Sequence, residues 1–579
     1  MLVNIKINGR QIQDDSSLTI LQVAKKNGIR IPTLCYMFQH ETGVEHKPAS
    51  CRVCVVEVKG RRNLLPACAT QISEGMEIET HNARVRAARR MIVELILSNH
   101  PNDCLLCEKN GKCGLQKIAA ELGIRKMRFG NEMSKPNEEK ESNCIVKNAS
   151  KCILCGKCVS VCSEVQGIGA ISPINRGFYT EISLPNKCVS CGQCIQVCPT
   201  GALMQADNIH DVDRALNDPT KYVVVTTAPA CRVSLGDEFG LPAGTDVTGK
   251  MVTSFRHLGF DKVLDTNFAA DLTILEEASE LLSRLSTGEN LPLITSCCPG
   301  WIKFIEYNYP ELLHLPSSCK SPMEMHGAMI KSYFAEKNNI NPKDIVVVAL
   351  MPCLAKKREA NRAELSNGGY QNVDYVLTVK EYSQMLIRRG VNLADLEDSN
   401  FDSLLGEGTG AADIFANTGG VIEAVARHAT KALTGSIKDV NFHAVRGLSG
   451  VREANVEIGD KTIRLCVVSG LGNAKAVLNK IKAGEANYDA IEIMACPGGC
   501  VNGGGQPVRQ DLEQVDVIKA RQQGIYNIDK NKVKRISSEN EELQLLYKEF
   551  LGEPNSHKAH ELLHTHYHSS KDTYYEDEE

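Results

Sequence analysis

Thr295-Ser296-Cys297-Cys298-Pro299-Gly300-Trp301 sets two thiols side by side after an apolar run, Leu291 to Ile294. Proline, glycine and the only tryptophan of the chain close the turn. Successive side chains tend to point apart, so adjacent cysteines do not readily share one metal centre. The pair reads as one metal ligand beside one thiol left for chemistry, with a pair of buried structural thiols as the plain alternative. Two later segments shift the balance toward chemistry. They are Met351-Pro352-Cys353-Leu354-Ala355-Lys356-Lys357-Arg358-Glu359 and Glu492-Ile493-Met494-Ala495-Cys496-Pro497-Gly498-Gly499-Cys500-Val501-Asn502-Gly503-Gly504-Gly505-Gln506-Pro507.

The elements that must position these thiols lie in a long chain. At 579 residues it exceeds a single core, and roughly three to five domains are expected. Hydrophobic content of 42% and charge of 23% are those of an ordinary soluble protein. A net charge of −4 gives no reason to expect nucleic acid. The start, Met1-Leu2-Val3-Asn4-Ile5-Lys6, lacks a signal-peptide pattern, and no apolar run approaches ~18 residues. A cytoplasmic protein without a membrane partner is expected. In a reducing cytosol, 24 cysteines argue for metal ligation over disulfides.

Residues 3–34 alternate as a small sheet (Val3, Ile5, Ile7, a turn at Asn8-Gly9) and then read as a helix from Leu18 to Asn27. Cys35, Cys51, Cys54 and Cys68 follow. Four thiols suit zinc as well as iron. The long gap before a close pair and a lone fourth cysteine is similar to a plant-type two-iron ferredoxin in a ubiquitin-like sheet. Arg84 to Leu97 reads as a helix with Arg84, Arg86, Arg89 and Arg90 on its exposed side. It leads to His100, Cys104, Cys107 and Cys113. That set resembles the one-His, three-Cys site of a four-iron cluster in hydrogenases and in the large iron–sulfur subunit of respiratory complex I.

An internal repeat is the strongest signal. Cys152, Cys155, Cys158 and Cys162 recur 36 residues later as Cys188, Cys191, Cys194 and Cys198. In this pattern each run gives three ligands to one cubane and its fourth cysteine to the other. The pairing is Cys152, Cys155 and Cys158 with Cys198, and Cys188, Cys191 and Cys194 with Cys162. Ser163 stands where bacterial ferredoxins usually carry proline, a change expected to affect local backbone only.

From Tyr222 onward cysteines thin out and β-branched runs alternate with helical stretches. Candidate strands are Tyr222–Thr227, Leu291–Ile294, Asp344–Leu350, Thr462–Val468 and Ala490–Met494. Such alternation predicts an α/β domain whose site lies beyond the carboxyl ends of its strands. Gly470-Leu471-Gly472 is not a dinucleotide fingerprint, because Lys475 occupies the third glycine position. After Gly552 come His557, His560, His564, His566 and His568 and an acidic ending. This tail reads as a terminal helix with a frayed end, not a metal site.

Together the three segments around Cys298, Cys353 and Cys500 resemble the signatures of the iron-only (FeFe) hydrogenases, and the resemblance runs over essentially the whole chain. It implies a multi-domain α+β and α/β protein. Residues 1–79 are a two-iron ferredoxin-like domain, 80–125 a His/Cys cluster domain and 140–209 a bacterial ferredoxin-like two-cluster domain. An α/β catalytic domain with mixed sheets spans 220–552, and 553–579 is a tail. The implied cofactors are one 2Fe-2S cluster, three accessory 4Fe-4S clusters and an H-cluster, a cubane bridged to a two-iron unit with CO, cyanide and dithiolate. By motif position Cys500 bridges, and Cys298, Cys353 and Cys496 complete the cubane. Lys356 would bind a cyanide. Pro229 and Ala230 would line one side, with Met351, Met494 and Phe415 as apolar walls, and Gly503-Gly504-Gly505 allowing close backbone approach.

The resemblance also implies a proton relay of Cys297, Glu277, Ser317, Glu280 and Arg284. Without it, Glu277, Glu280 and Arg284 at i, i+3 and i+7 would read as a solvated stripe on one helix face. Met323 departs from the glutamine expected there. The implied reaction is reversible oxidation of H2 to protons and electrons, with ferredoxin or flavin- and NAD(P)-binding subunits as electron partners and maturation enzymes as assembly partners. The ending Leu551 to His564 resembles the hydrogenase subunit of a multimeric, NAD(P)-linked or electron-bifurcating complex. Two rivals remain open: a non-catalytic iron–sulfur subunit like that of complex I, and a hydrogen sensor lacking the relay.

Overall fold

The computed structural model describes residues 1–39, 42–130, 133–142, 144–184, 187–435, 443–458 and 461–570. They form two compact units. One holds Met1–Glu164, Gly169–Asn186 and Cys194–Met204, and the other Val165–Ile168, Lys187–Gln193 and Gln205–Glu579. Among the described residues no helix is long and apolar enough to cross a membrane.

In the first unit, strand Leu2–Ile7 pairs antiparallel with Arg10–Asp15 and parallel with Glu77–Glu79. Asn8 and Gly9 both take positive φ, +50° and +80°, as a two-residue hairpin turn requires. Val3, Ile5 and Ile7 alternate inward and meet Ile20, Val23 and Ala24 of helix Ile20–Lys26, which Thr19 and Gln22 start with a capping box. The arginine helix spans Ala83–Ser98, capped by the Asn82 side chain on the Val85 amide. Its exposed side carries Arg84, Arg86 and Arg90, but not Arg89. Arg89 is 2% exposed and donates to the Val55 carbonyl at 2.7 Å. The reason is helical period: Val85, Arg89 and Val93 stand four apart, and both valines are fully buried.

The second unit contains two four-stranded sheets. The first orders Lys262–Asp265, Tyr222–Thr227, Ile345–Met351 and Tyr375–Thr378, all parallel. The second orders Leu293–Ile294, Ala490–Met494, Lys461–Ser469 and Val451–Ile458, and its last pair is antiparallel. The five expected strands all form. The Leu291–Ile294 run is shortened to Leu293–Ile294, where Pro292 offers no amide to the ladder. The all-apolar Ile345–Met351 is buried at every position, as a central parallel strand demands. Helix Asn267–Thr287 follows strand Lys262–Asp265 and ends at Gly288, φ +73°.

The end of the chain departs from expectation. Helix His557–Leu563 forms, capped by Ser556, but the segment after it is not frayed. The Thr565 amide donates to Ser318 O at 2.8 Å, the Ser570 amide to Glu306 O at 3.1 Å, and His564 is buried. Leu563 and Ala559 sit in the main core, so the tail is a packed element there. The acidic ending, 571–579, lies outside the described residues.

Truncating Arg89 to alanine strips the Val55 carbonyl of its buried donor. Denaturation of the full chain should show a loss of about 1–3 kcal/mol. Arg86→Ala, on the exposed face, should stay within about 0.5 kcal/mol.

Candidate active site

Five turns at strand ends converge on one cavity of ≈ 80 Å³ in the second unit. Ala228, Pro229 and Ala230 follow Tyr222–Thr227, and Thr266 follows Lys262–Asp265. Met351, Pro352 and Cys353 close Ile345–Met351, while Cys297 and Cys298 follow Leu293–Ile294. Met494, Ala495, Cys496, Gly499 and Cys500 end the fifth. Phe415, Met323 and Lys356 complete the walls. Cys298, Cys353, Cys496 and Cys500 thus share one cavity, and all five expected wall residues line it.

Local chemistry fixes the Cys297–Cys298 turn. Pro299 occupies the first turn of helix Pro299–Asn308. Trp301 is fully buried, and its indole Nε1 donates to the Thr295 carbonyl at 3.2 Å. The Ala495 amide points at Cys298 Sγ at 3.5 Å. Burial pushes the Cys353 thiol up to about 12 and holds Cys298, Cys496 and Cys500 above the ordinary thiol range as well. Four such thiols ionise only beside compensating positive charge, which a polynuclear iron centre supplies. Among the described residues no three His, Cys, Asp or Glu side chains meet closely enough for a single metal ion. A wall of four separate thiols around a cavity fits a cluster instead.

Lys356 is buried with Glu359, Nζ to Oε2 at 2.7 Å, and also donates to the Cys297 carbonyl at 3.2 Å. Burial opposes its charge, but the Glu359 carboxylate outweighs that and holds the ammonium above its usual range. Sequence reasoning misses Glu359 as a site residue, although its i+3 spacing from Lys356 is legible. It also misses Gln506, whose Nε2 donates to the carbonyls of Ala230 and Cys500 at 3.3 and 3.2 Å. The glycines after Cys500 approach protein backbone. A Cβ on Gly503 would lie 2.3 Å from Pro352 O, and one on Gly504 2.5 Å from Cys191 O.

The supposed solvated stripe is largely internal. Glu277 is fully buried, and its Oε1 accepts from the Ser296 amide at 3.3 Å. Its Oε2 has no hydrogen-bond partner among the described residues. Its charge raises the thiol of Cys297 beyond what burial alone does. The Ser317 hydroxyl donates to Glu280 Oε2 at 2.6 Å and eases ionisation of Glu277. Arg284 donates to Glu280 Oε1 at 2.6 Å and to the carbonyls of Asn290 and Leu315 at 2.8 Å. Side-chain exposure rises from nothing at Glu277 to 15% at Glu280 and 12% at Arg284. Cys297 thus lines the cavity, Glu277 is buried, and Glu280 joins Ser317 to Arg284 by hydrogen bonds.

Cys54 and Cys68 approach to 3.4 Å, and Cys35, Cys54 and Cys68 are buried. Burial lowers the pKa of His100 below the ordinary histidine value, and neither ring nitrogen has a hydrogen-bond partner among the described residues. A metal ligand needs such a free lone pair. In the repeat, Leu154 and Ser190 take φ of +52° and +58°, aiming their amides at Cys152 Sγ (3.4 Å) and Cys188 Sγ (3.3 Å). Gly156 and Gly192 share φ of +74°. The repeat in sequence is thus a repeat in backbone. Left-handed residues outside glycine are uncommon, and these serve to hydrogen-bond a sulfur. Among the described residues no cysteine forms a disulfide.

Burial and the Glu280 charge raise the Glu277 carboxyl to about 8. An acid raised on folding costs stability as pH climbs from its unfolded value, near 4.5, through 8. Glu277→Gln keeps the shape without the titration. Unfolding of the iron-free chain should match the parent at low pH and exceed it above pH 8, by on the order of a few kcal/mol.

Similarity to known proteins accords with this geometry. Residues 221–504 match the model "Iron only hydrogenase large subunit, C-terminal domain", and 515–570 match "Iron hydrogenase small subunit". Residues 1–83 match a 2Fe-2S iron-sulfur cluster binding domain, 89–128 the "NADH-ubiquinone oxidoreductase-G iron-sulfur binding region" and 151–202 a 4Fe-4S dicluster domain. The "NADP-reducing hydrogenase subunit HndD" of Solidesulfovibrio fructosivorans is 47% identical over 98% of this chain and 99% of its own length. "Iron hydrogenase 1" of Clostridium pasteurianum is 38% identical over 97% and 99%. The structure of an apo [FeFe]-hydrogenase variant from Chlamydomonas reinhardtii superposes with a TM-score of 0.55 at 42% identity, covering 62% of this chain and 98% of that one. The strand-end thiols, the cluster-binding regions and this full-length likeness place the chain in the iron-only (FeFe) hydrogenase family, as a hydrogenase enzyme with 2Fe-2S and 4Fe-4S domains.

Proposed function

We propose that Cys298, Cys353, Cys496 and Cys500 would hold the H-cluster, with Cys500 as the residue that would join its two parts. When bound, that group supplies the redox iron at which H2 is split or formed. The single observation carrying this reading is the meeting of these four thiols with Lys356 at one buried cavity. Lys356, fixed by Glu359, presents a cation to an anionic cofactor. Met323, Met351, Met494 and Phe415 exclude water. Gln506 ties the carbonyls of Ala230 and Cys500 together.

The chain's own part in turnover is moving protons. Cys297 lines the cavity without being needed as a ligand, which suits it to hold a proton at Sγ. Its high thiol pKa keeps that proton in place between transfers. Glu277 receives or returns it, Ser317 and Glu280 pass it outward, and Arg284 marks the mouth. A hydrogen sensor would not need this path, and a complex I-like subunit would not need the cavity.

Electrons reach the cavity through accessory clusters. We assign Cys35, Cys51, Cys54 and Cys68 to the 2Fe-2S cluster, and His100, Cys104, Cys107 and Cys113 to a 4Fe-4S cluster. Cys152, Cys155, Cys158 and Cys198 hold a second, and Cys188, Cys191, Cys194 and Cys162 a third. Full-length likeness to a protein named as an NADP-reducing subunit favours the multimeric reading over a stand-alone ferredoxin enzyme. Exposed Arg84, Arg86 and Arg90, on the helix leading to His100, are the electron-entry patch of this reading.

Two experiments separate these parts. In protein matured with the family's assembly enzymes, Cys297→Ala should keep the infrared bands of CO and cyanide but lose turnover by ~10²–10⁴-fold. Cys298→Ala should lose the bands themselves; identical behaviour of the two would refute the division of the pair. Charge reversal at Arg86 and Arg90 should slow an acidic protein donor but not a small dye, with the deficit shrinking as salt rises. An unchanged rate with the protein donor removes the helix as entry point.

A further inference from the structure

Hydrogen bonds join the helix carrying Glu277 to the end of the chain. Glu276, the preceding residue, is fully buried. Its carboxylate accepts from Tyr547 Oη at 2.5 Å and the Asn555 amide at 2.7 Å, and His564 Nε2 lies 3.2 Å from Oε2. The other ring nitrogen, Nδ1, is 2.8 Å from Ser318 Oγ. With Nε2–H assigned to the carboxylate, Nδ1 accepts from the serine hydroxyl. Ser318 follows Ser317, and its own amide donates to both oxygens of Glu280, at 3.4 and 3.3 Å. One imidazole therefore touches both elements from which Glu277, Glu280 and Ser317 project.

The backbone around it is paired as well. The Lys320 amide donates to Leu563 O and the Thr565 amide to Ser318 O, each at 2.8 Å, an antiparallel bridge of Cys319 with His564. Tyr567 Oη donates to the Cys319 carbonyl at 3.3 Å, which also accepts from Ser296 Oγ at 2.7 Å. Ser296 is the residue before Cys297. Residues 563–567 thus run along loop 317–320 and reach the support of the cavity thiol. Proton transfer works only within roughly 2.6–3.2 Å between heavy atoms, so whatever fixes this loop fixes the relay.

We propose that His564 is a positioning residue of the proton relay, latching loop 317–320 to the Glu276–Glu277 segment of helix Asn267–Thr287. This rests on the relay assigned above. His564 belongs to the histidine-rich tail, which otherwise has no part in the chemistry. A displacement of about 1 Å in such a chain costs ~10²-fold in rate.

The test uses full-length, matured protein with His564→Ala, His564→Gln and Glu277→Gln side by side. His564→Ala should lower dye-driven H2 evolution by ~10–100-fold with the KM for dye unchanged. The solvent deuterium isotope effect should rise, the CO and cyanide bands should keep full intensity, and the amides of 318–320 should exchange faster. His564→Gln, which keeps a donor toward Glu276, should recover part of the rate. A full rate in His564→Ala beside a slow Glu277→Gln overturns the latch alone. A full rate in Glu277→Gln overturns the relay itself. Activity falling only in step with the infrared bands, in both His564 variants, makes His564 a fold-stabilising residue and also overturns the proposal.

Discussion

Arg232 sits at 1% exposure between two buried carboxylates, 2.8 Å from Asp265 Oδ1 and 2.8 Å from Asp413 Oδ1. Asn267 Nδ2 donates to Asp413 Oδ1 at 2.6 Å, and Lys532 Nζ forms an ion pair with Asp413 Oδ2 at 2.9 Å. A buried ion left without its partner costs about 3–5 kcal/mol, so these groups are mutually obligatory. What they join matters more than what they stabilise. Arg232 follows Pro229 and Ala230, Asp265 ends the strand before the helix that carries Glu277 and accepts from the Asn267 amide, and Asp413 precedes Phe415. One ionic knot thus registers three walls of the cavity against each other.

The same desolvation governs the thiols and the relay. Four thiols raised by burial line one cavity, where ionisation is unfavourable without compensating positive charge. Burial also keeps a proton on Glu277 at neutral pH, while Glu280, paired with Arg284, is wetter. Solvation along helix Asn267–Thr287 thus increases from Glu277 to Glu280 and Arg284. Helical period puts the carboxylates on one face, and the packing of loop 317–320 turns that face inward.

The electron-transfer regions use backbone instead of charge. In the repeat, a left-handed residue two positions after the first cysteine turns its amide onto sulfur in both copies. The strain of Leu154 and Ser190 is small beside the benefit of N–H donors to thiolates. This geometry makes the cysteine spacing readable, because a three-residue step with one glycine leaves few other ways to wrap a cluster.

Cys298, Cys353, Cys496 and Cys500 stand far apart and are grouped only by resemblance and by the shared cavity, whereas spacing makes the cysteines of the repeat legible, because their steps are local and written into a few consecutive residues. The five strands are legible for the same reason: runs such as Ile345–Met351 admit few other placements. Arg89 is misread although its period is visible, because charge suggests solvent while Val85 and Val93 fix its face. Glu277 cannot be told from a surface residue by periodicity, since a helix face is defined only by what packs on it. The tail is least legible. Five histidines in a polar stretch have no pattern of their own, and His564 acquires its role only from Glu276 and Ser318, 288 and 246 residues earlier. Local sequence determined which residues could bind iron. Tertiary packing decided which carboxylates are dry and which histidine is held, because desolvation belongs to the folded neighbourhood and not to the chain.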